Sequence, residues 1–342
     1  MKATIRITLL FCLLNFSIHA HYRVLGIGSY VWDYIQPVDE RFLEAVYLPK
    51  RGWKDLDWAA FSEVLALSRS QAEPTLMTGG SVANTIKGLA SLGIPSALTG
   101  NVGYDRRGDI LIYEMEKCGI TPLVTRSNTP TAHVISLVTP DGERSFCTFI
   151  DSEKETCEED ILPQYFKGVD LVHIEGYLIP NRGVVEKAAR LAMEQGATVS
   201  YDIGNQNIGE KYRERLWGLL NSYIDVLFMD VDEAYALTHL DPEHACRFLS
   251  NFCHVAVVKI GEKGCYVASG KDFIHQPAIP TTVVDSTGGG DLFASGFLYG
   301  YLHGESLERC ALFGNLMGSA AIENFGGEIP PARLSEIVQA MK

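Results

Sequence analysis

The 342-residue chain reads as an α/β protein with a doubly wound, mostly parallel sheet, helices on both faces and a small β-rich lid. Three observations predict this. Apolar runs recur along the chain, helical patterns alternate with them, and two segments break the alternation. The runs fall at residues 24–27, 96–100, 171–174, 198–202, 226–229 and 255–260. Near-continuous hydrophobicity over so few residues marks strands buried on both faces.

The helical spacing is clearest at Val82, Ala83, Ile86, Leu89 and Ala90, entered through Ser81 and closed by Gly93, and again at Val184, Val185, Ala188, Leu191 and Ala192. Residues 37–74 break the rhythm with acidic and aromatic side chains. Residues 131–149 alternate like an antiparallel hairpin about Pro140-Asp141-Gly142. Doubly wound sheets bind ligands at the carboxyl ends of their strands, so a lid built from about 34–75 and 131–150 would cover such a site. One domain over 21–342 is expected.

Composition narrows the function. With 46% hydrophobic residues the chain has a globular rather than a disordered character. A formal net charge of −13 repels nucleic-acid phosphates, so nucleic acid is not an expected partner. The eight cysteines lack any C-x-x-C pair and the nine histidines lack an H-E-x-x-H spacing, so reduced, buried thiols and no zinc are expected. At the N-terminus, Lys2, Arg6, the apolar residues 7–14 and Ser17-Ile18-His19-Ala20 resemble a signal peptide. The segment is too short to span a bilayer, and no stable membrane association is expected. The first core strand follows at once, which favours an N-terminal extension over a working signal.

The chemistry concentrates in Asp285-Ser286-Thr287-Gly288-Gly289-Gly290-Asp291, which runs straight into an apolar helical pattern. Glycines at a helix entrance bring backbone N–H groups close to a ligand, and the helix dipole favours an anion there. A carboxylate beside that anion hole, Asp291, suits removal of a proton from an attacking hydroxyl. The competing reading makes Gly288, Gly289 and Gly290 a tight turn and Asp291 a helix cap. A second glycine pair opens a helix at Thr78-Gly79-Gly80-Ser81-Val82-Ala83-Asn84, and Asp33 follows the first strand. No G-x-x-x-x-G-K-[ST] occurs, and Val31 stands where a dinucleotide fingerprint beginning at Gly26-Ile27-Gly28 needs its third glycine.

Taken together, residues 285–297, residues 79–93 and the stretch Gly100-Asn101-Val102-Gly103-Tyr104-Asp105-Arg106-Arg107-Gly108 resemble the two signatures of the ribokinase-like (PfkB-type) carbohydrate and nucleoside kinases. Within that family, the long segment after Asp33, the Asp141-Gly142-Glu143-Arg144 turn and His173-Ile174-Glu175-Gly176-Tyr177 resemble the adenosine kinase branch. The resemblance implies an ATP- and Mg²⁺-dependent kinase acting on a primary hydroxyl of a nucleoside, adenosine first, with a ribose- or fructose-type sugar as the alternative. A catalytically silent nucleoside or sugar binder is the third reading.

Carried over, the resemblance makes Asp291 the catalytic base and Gly288, Gly289 and Gly290 the anion hole. Asp33, Gly79, Gly80 and Asn84 become the substrate pocket, and Arg144 a phosphate-facing lid arginine. Lys259, Gly261, Gly264, Asn315 and Gly327 line the nucleotide. Asp230 and Glu233 sit where family members organise Mg²⁺ through water, with aspartate replacing the usual asparagine at 230. Asp285 and Thr287 match positions that bind a monovalent cation, K⁺, in some members. Phe146 and Phe149, past the lid turn, are expected to share one face, either to stack on a base or to pack within the lid. ATP use implies a cytoplasmic enzyme, as a monomer or homodimer.

Overall fold

The structure is a computed structural model that describes residues 22–150, 156–181 and 183–342. The signal-like reading of residues 1–20 lies outside them. Among the described residues there are fourteen strands in two sheets and twelve α-helices.

The large sheet contains β1 (Val24–Ile27), β5 (Ser96–Gly103), β6 (Ile120–Ser127), β9 (Leu171–Glu175), β10 (Thr198–Asp202), β11 (Val226–Asp230), β12 (Val255–Lys259), β13 (Cys265–Ser269) and β14 (Asp272–Gln276). Their order is β14-β13-β12-β11-β10-β9-β1-β5-β6, parallel from β6 to β12, with β13 and β14 antiparallel at one edge. Every predicted run is a strand here. The burial pattern explains why: Leu25, Ile27, Val172, Ile174, Val199 and Tyr201 enter one core, while Val24, Leu98, Leu171, Val226, Phe228 and Val257 enter another on the opposite face.

Helices α5 (Val184–Glu194), α6 (Gln206–Lys211), α7 (Arg213–Ser222), α8 (Val231–Thr238) and α9 (Pro242–Leu249) follow the strands from β9 to β11, and the first core gathers residues of α5, α7, α8 and α9. The second core holds residues of α3 (Ser81–Ser91), α4 (Arg106–Lys117), α10 (Gly289–Leu302) and α11 (Leu307–Ala321), with α12 (Pro331–Ala340) packed on α11. Two of these helices approach unusually closely. A Cβ on Gly88 of α3 would stand 2.3 Å from Ser295 Oγ of α10, so only glycine lets the two entrances converge.

The second sheet has the order β3-β8-β7-β2-β4 and draws most of its strands from the two segments expected to form a lid. It comprises β2 (Val31–Pro37), β3 (Trp53–Asp55), β4 (Thr75–Gly79), β7 (Ala132–Val138) and β8 (Arg144–Phe149). The hairpin closes at Gly142, which takes φ 81° and bonds to Thr139 O at 2.8 Å. Directly opposed residues share a face, so the register puts Asp33, Met77, Val134, Thr148, Phe146 and Trp53 on one side. Tyr34, Ile135, Leu137 and Cys147 lie on the other, covered by Phe42 and Leu43 of α1 (Glu40–Ala45) and Phe61 of α2 (Trp58–Ser68).

One expectation fails here. Phe146 and Phe149 are three residues apart, an odd number, and a strand's side-chain period of two sends them to opposite faces. Phe149 packs at 5.0 Å from Trp58 on the outer side, whereas Phe146 lies 6.0 Å from Trp53 on the inner side.

Candidate active site

Parallel neighbours bring polar residues from distant parts of the chain to one edge. Glu175 ends β9, Asp202 ends β10, Asp230 ends β11 and Lys259 ends β12. In register, Asp202 pairs with Glu175 and Asp230 with Lys259. The chain switches direction at β1, between β5 and β9, where a doubly wound sheet leaves its crevice. Ser29, just beyond β1, donates from both its N–H (3.2 Å) and its hydroxyl (2.9 Å) to Glu175. Buried at 2% exposure, Glu175 is pushed up to about 7 by desolvation.

Asp291 is not a cap. It lies in the first turn of α10, yet its carboxylate accepts from Ser81 Oγ (2.8 Å) and Asn84 Nδ2 (2.9 Å) of α3. Burial raises its pKa, and the Asn84 bond opposes the rise. The α10 entrance thus keeps its own amides uncapped. Gly288 holds φ 70° with no side-chain cap. Gly289 N bonds back to Ser286 O and Leu292 N to Gly288 O; the amides of Gly290 and Asp291 between them have no acceptor among the described residues.

Residues 79–81 join this entrance to the small sheet. A Cβ on Gly79 would fall 1.7 Å from Asp33 Oδ2, Gly80 is the α3 N-cap at φ 109° without a side-chain cap, and Ser81 reaches Asp291. Asp33 and Asp291 are therefore brought to one junction, near enough for the Asp291 charge to act on Asp33, with Asn84 bonded to Asp291. Asp33 is pushed up to about 7 by burial, against the lowering influence of Lys87 and Arg144. From the hairpin, Arg144 Nε donates to Ser286 Oγ (3.2 Å), and Ser286 in turn to Gly142 O (3.2 Å). The hairpin tip is thereby fastened to the loop that precedes the glycines.

Two glycine-entered helices meeting on one carboxylate, beneath an arginine-bearing hairpin, constitute a phosphoryl-transfer geometry. The profile of the PfkB carbohydrate kinases matches residues 56–333. The chain belongs to the PfkB carbohydrate kinase family. It is an ATP-using sugar or nucleoside kinase. An uncharacterised sugar kinase from Archaeoglobus fulgidus is 29% identical over 70% of this chain and 96% of its own length. An ATP-dependent ribose-1-phosphate kinase from Halopiger xanaduensis is 27% identical over 90% and 95%. Among solved structures, the adenosine kinase from Sinorhizobium meliloti superposes with a TM-score of 0.86 at 31% identity, covering 94% of this chain and all of its own.

The remaining predicted residues of this PfkB kinase are dispersed around that centre. Asp230 and Glu233 form a reciprocal capping box on α8, with bonds of 2.7 and 2.8 Å. Each carboxylate keeps one oxygen uncommitted, and burial with the Asp230 and Asp202 charges raises Glu233 well above its usual value. Crowded oxygen donors with one free position each fit a hydrated Mg²⁺, which keeps several waters. Asp285 is different. Its Oδ1 accepts from Thr287 N (2.9 Å) and Oγ1 (2.6 Å), and its Oδ2 from Gly326 N (2.8 Å). Both oxygens hold the loop in place, and the K⁺ expectation gains nothing from them.

Among the residues expected to line a nucleotide, Asn315 of α11 donates to Pro277 O (2.8 Å) and ties down the chain after β14. Gly261 is exposed with open space before it. Gly264, at φ 98°, instead packs on its own sheet, with Gln276 O 2.0 Å from the Cβ position. Gly327 lies against Thr287 O and Gly288. Lys259 stands apart from Gly261 and Gly264, because its Nζ reaches Asp202 Oδ2 at 3.0 Å. Sequence reasoning missed Glu175, Asp202 and Ser81. The available signal was a charged residue closing an apolar run, as at 171–175 and 198–202. Among the described residues, no helix is long and apolar enough to cross a membrane.

Proposed function

We propose that this kinase transfers the terminal phosphoryl of ATP to the primary hydroxyl of a neutral nucleoside, adenosine first, in the cytoplasm. The observation that carries this reading is the aromatic wall on the sheet face that also carries Asp33. Trp53 lies 5.2 Å from Tyr177 and 6.0 Å from Phe146, and Tyr177 is fixed by its hydroxyl bond to Gly204 O at 2.7 Å. Aromatic faces suit a planar base. The aromatic wall itself carries no cation; the charges near Asp33 are Arg144 at the hairpin tip and Lys87 of α3, whose ammonium donates to Thr78 O and Oγ1.

Asp33 accepts bonds from two ribose hydroxyls, because a carboxylate offers several acceptor sites to a vicinal diol. Gly79 leaves room for that approach. Asp291 takes the proton of the attacking hydroxyl while Ser81 and Asn84 hold its oxygens in line. The uncapped amides at Gly290 and Asp291 receive the phosphoryl oxygens, and Arg144 moves from Ser286 to the phosphates. Mg²⁺, held through water by Asp230 and Glu233, would offset charge on the triphosphate.

A furanose sugar is the second reading, supported by the sugar-kinase names of the relatives. ADP release measured with adenosine, guanosine, inosine, ribose and fructose separates them. Adenosine should give the highest kcat/KM, and preference for a free sugar would reject the aromatic wall as a base site.

A further inference from the structure

We infer that Lys259 is a catalytic residue whose ammonium contacts the transferred phosphoryl, rather than a part of the turn that follows it; the inference rests on the kinase reading above. Three observations carry it. First, Lys259 Nζ stands 3.1 Å from the position a Cβ on Gly290 would occupy, so the ammonium borders the uncapped amides of the α10 entrance. Second, the side chain is only 18% exposed and its partner Asp202 only 6%. A buried ammonium without a counter-charge is costly, and Asp202 keeps it charged. Third, an ammonium has three donors, and among the described residues only one is used, on Asp202 Oδ2. The other oxygen of Asp202 accepts from Gly204 N at 3.1 Å, so Asp202 holds the lysine without taking a second bond.

Two donors therefore have no protein acceptor beside a pocket built for an anion. A phosphoryl oxygen supplies one. In the transfer, the acceptor oxygen forms the new bond to phosphorus and its proton goes to Asp291. The bond from phosphorus to the bridging oxygen breaks, and its electron pair leaves with ADP. Lys259 keeps all its protons and offsets charge on the oxygens in flight. Asp202 acts through Lys259 and is a positioning residue.

The rival explanation is that Lys259 only neutralises Asp202. The Lys259→Met and Lys259→Met/Asp202→Asn variants, checked for folding by circular dichroism, separate the two. The lysine variant should turn over about a hundredfold more slowly. It should bind a non-hydrolysable ATP analogue about tenfold more weakly or worse while holding ADP as before, since ADP lacks the group that Lys259 meets. The double variant removes the lysine together with its bonded carboxylate and leaves only the longer-range charges of Asp230 and Glu233 without it, so it should fold where the single one does not, and it should be equally slow. Recovery of wild-type turnover in the double variant overturns the inference, as does an equal loss of affinity for ADP and analogue. Wild-type protein with no ADP release on any acceptor rejects the kinase reading itself.

Discussion

Helices α4 and α10 both begin beside glycine and aspartate, and they use the aspartate in opposite ways. In α4, Asp105 turns onto its own helix, accepting from Gly108 N at 2.8 Å and from Thr131 N and Oγ1 at 2.8 and 2.9 Å. In α10, Asp291 turns away to Ser81 and Asn84 of α3, and the helix start has no side-chain cap. The first arrangement consumes the amides and stabilises the fold. The second leaves them for a ligand, at the cost of a cap worth about 1 kcal/mol. On the proposed reading, Asp291 is available to a substrate because a second helix holds it off its own amides.

Exchange of the two aspartates gives the sharpest contrast. Asp291→Asn should lower kcat by about a thousandfold or more in an ADP-release assay, with ATP binding intact by calorimetry. Asp105→Ala should leave kcat within a fewfold and instead cost about 1 kcal/mol in a denaturant titration. Similar kinetic losses in both would erase the distinction.

Arg144→Gln comes next. Its guanidinium already reaches the loop before the glycines, and loss of one such phosphate contact should cut kcat about a hundredfold. A variant that raised only the acceptor KM would move Arg144 from the phosphates to the substrate. Gly79→Ala tests the link between the two centres. The new methyl would displace the Asp33 carboxylate, so acceptor KM should rise about tenfold or more with the ATP KM unchanged.

The smallest effect is on stability. Glu175 and Asp33 are each pushed up to about 7 by burial, so between about pH 4 and 7 the unfolded chain releases protons that the folded chain retains. The folded state therefore loses stability as pH rises through 7. Glu175→Gln should flatten that decline in thermal melts from pH 5 to 8, and an unchanged slope would assign it to other groups.

Much of this was legible beforehand, for identifiable reasons. Strands such as β11 and β12 are buried on both faces and announce themselves as apolar runs. The glycines at 288–290 mark a helix entrance because few other residues permit the turn. Contacts between distant segments were not legible. Nothing near Asp291 indicates that Ser81 and Asn84 will hold it, because α3 and α10 meet through Gly88 and Ser295. Glu175 and Asp202 look like strand ends until the parallel register aligns them. Lys259 sits within a sequence that suggests a nucleotide turn, and its side chain goes instead to Asp202. The misplacement of Phe149 was avoidable, since strand parity alone sends it outward.

The central claim is that the uncapped α10 amides and Asp291 together move a phosphoryl group onto a primary hydroxyl. The direct measurement is phosphorus NMR of wild-type protein with ATP, Mg²⁺ and adenosine, beside Asp291→Asn. The account predicts ADP and a phosphomonoester split by the two protons of a CH₂ group, formed by the wild type and absent from the variant. ATP left intact with adenosine and every other acceptor tried, or equal product from both proteins, would contradict it.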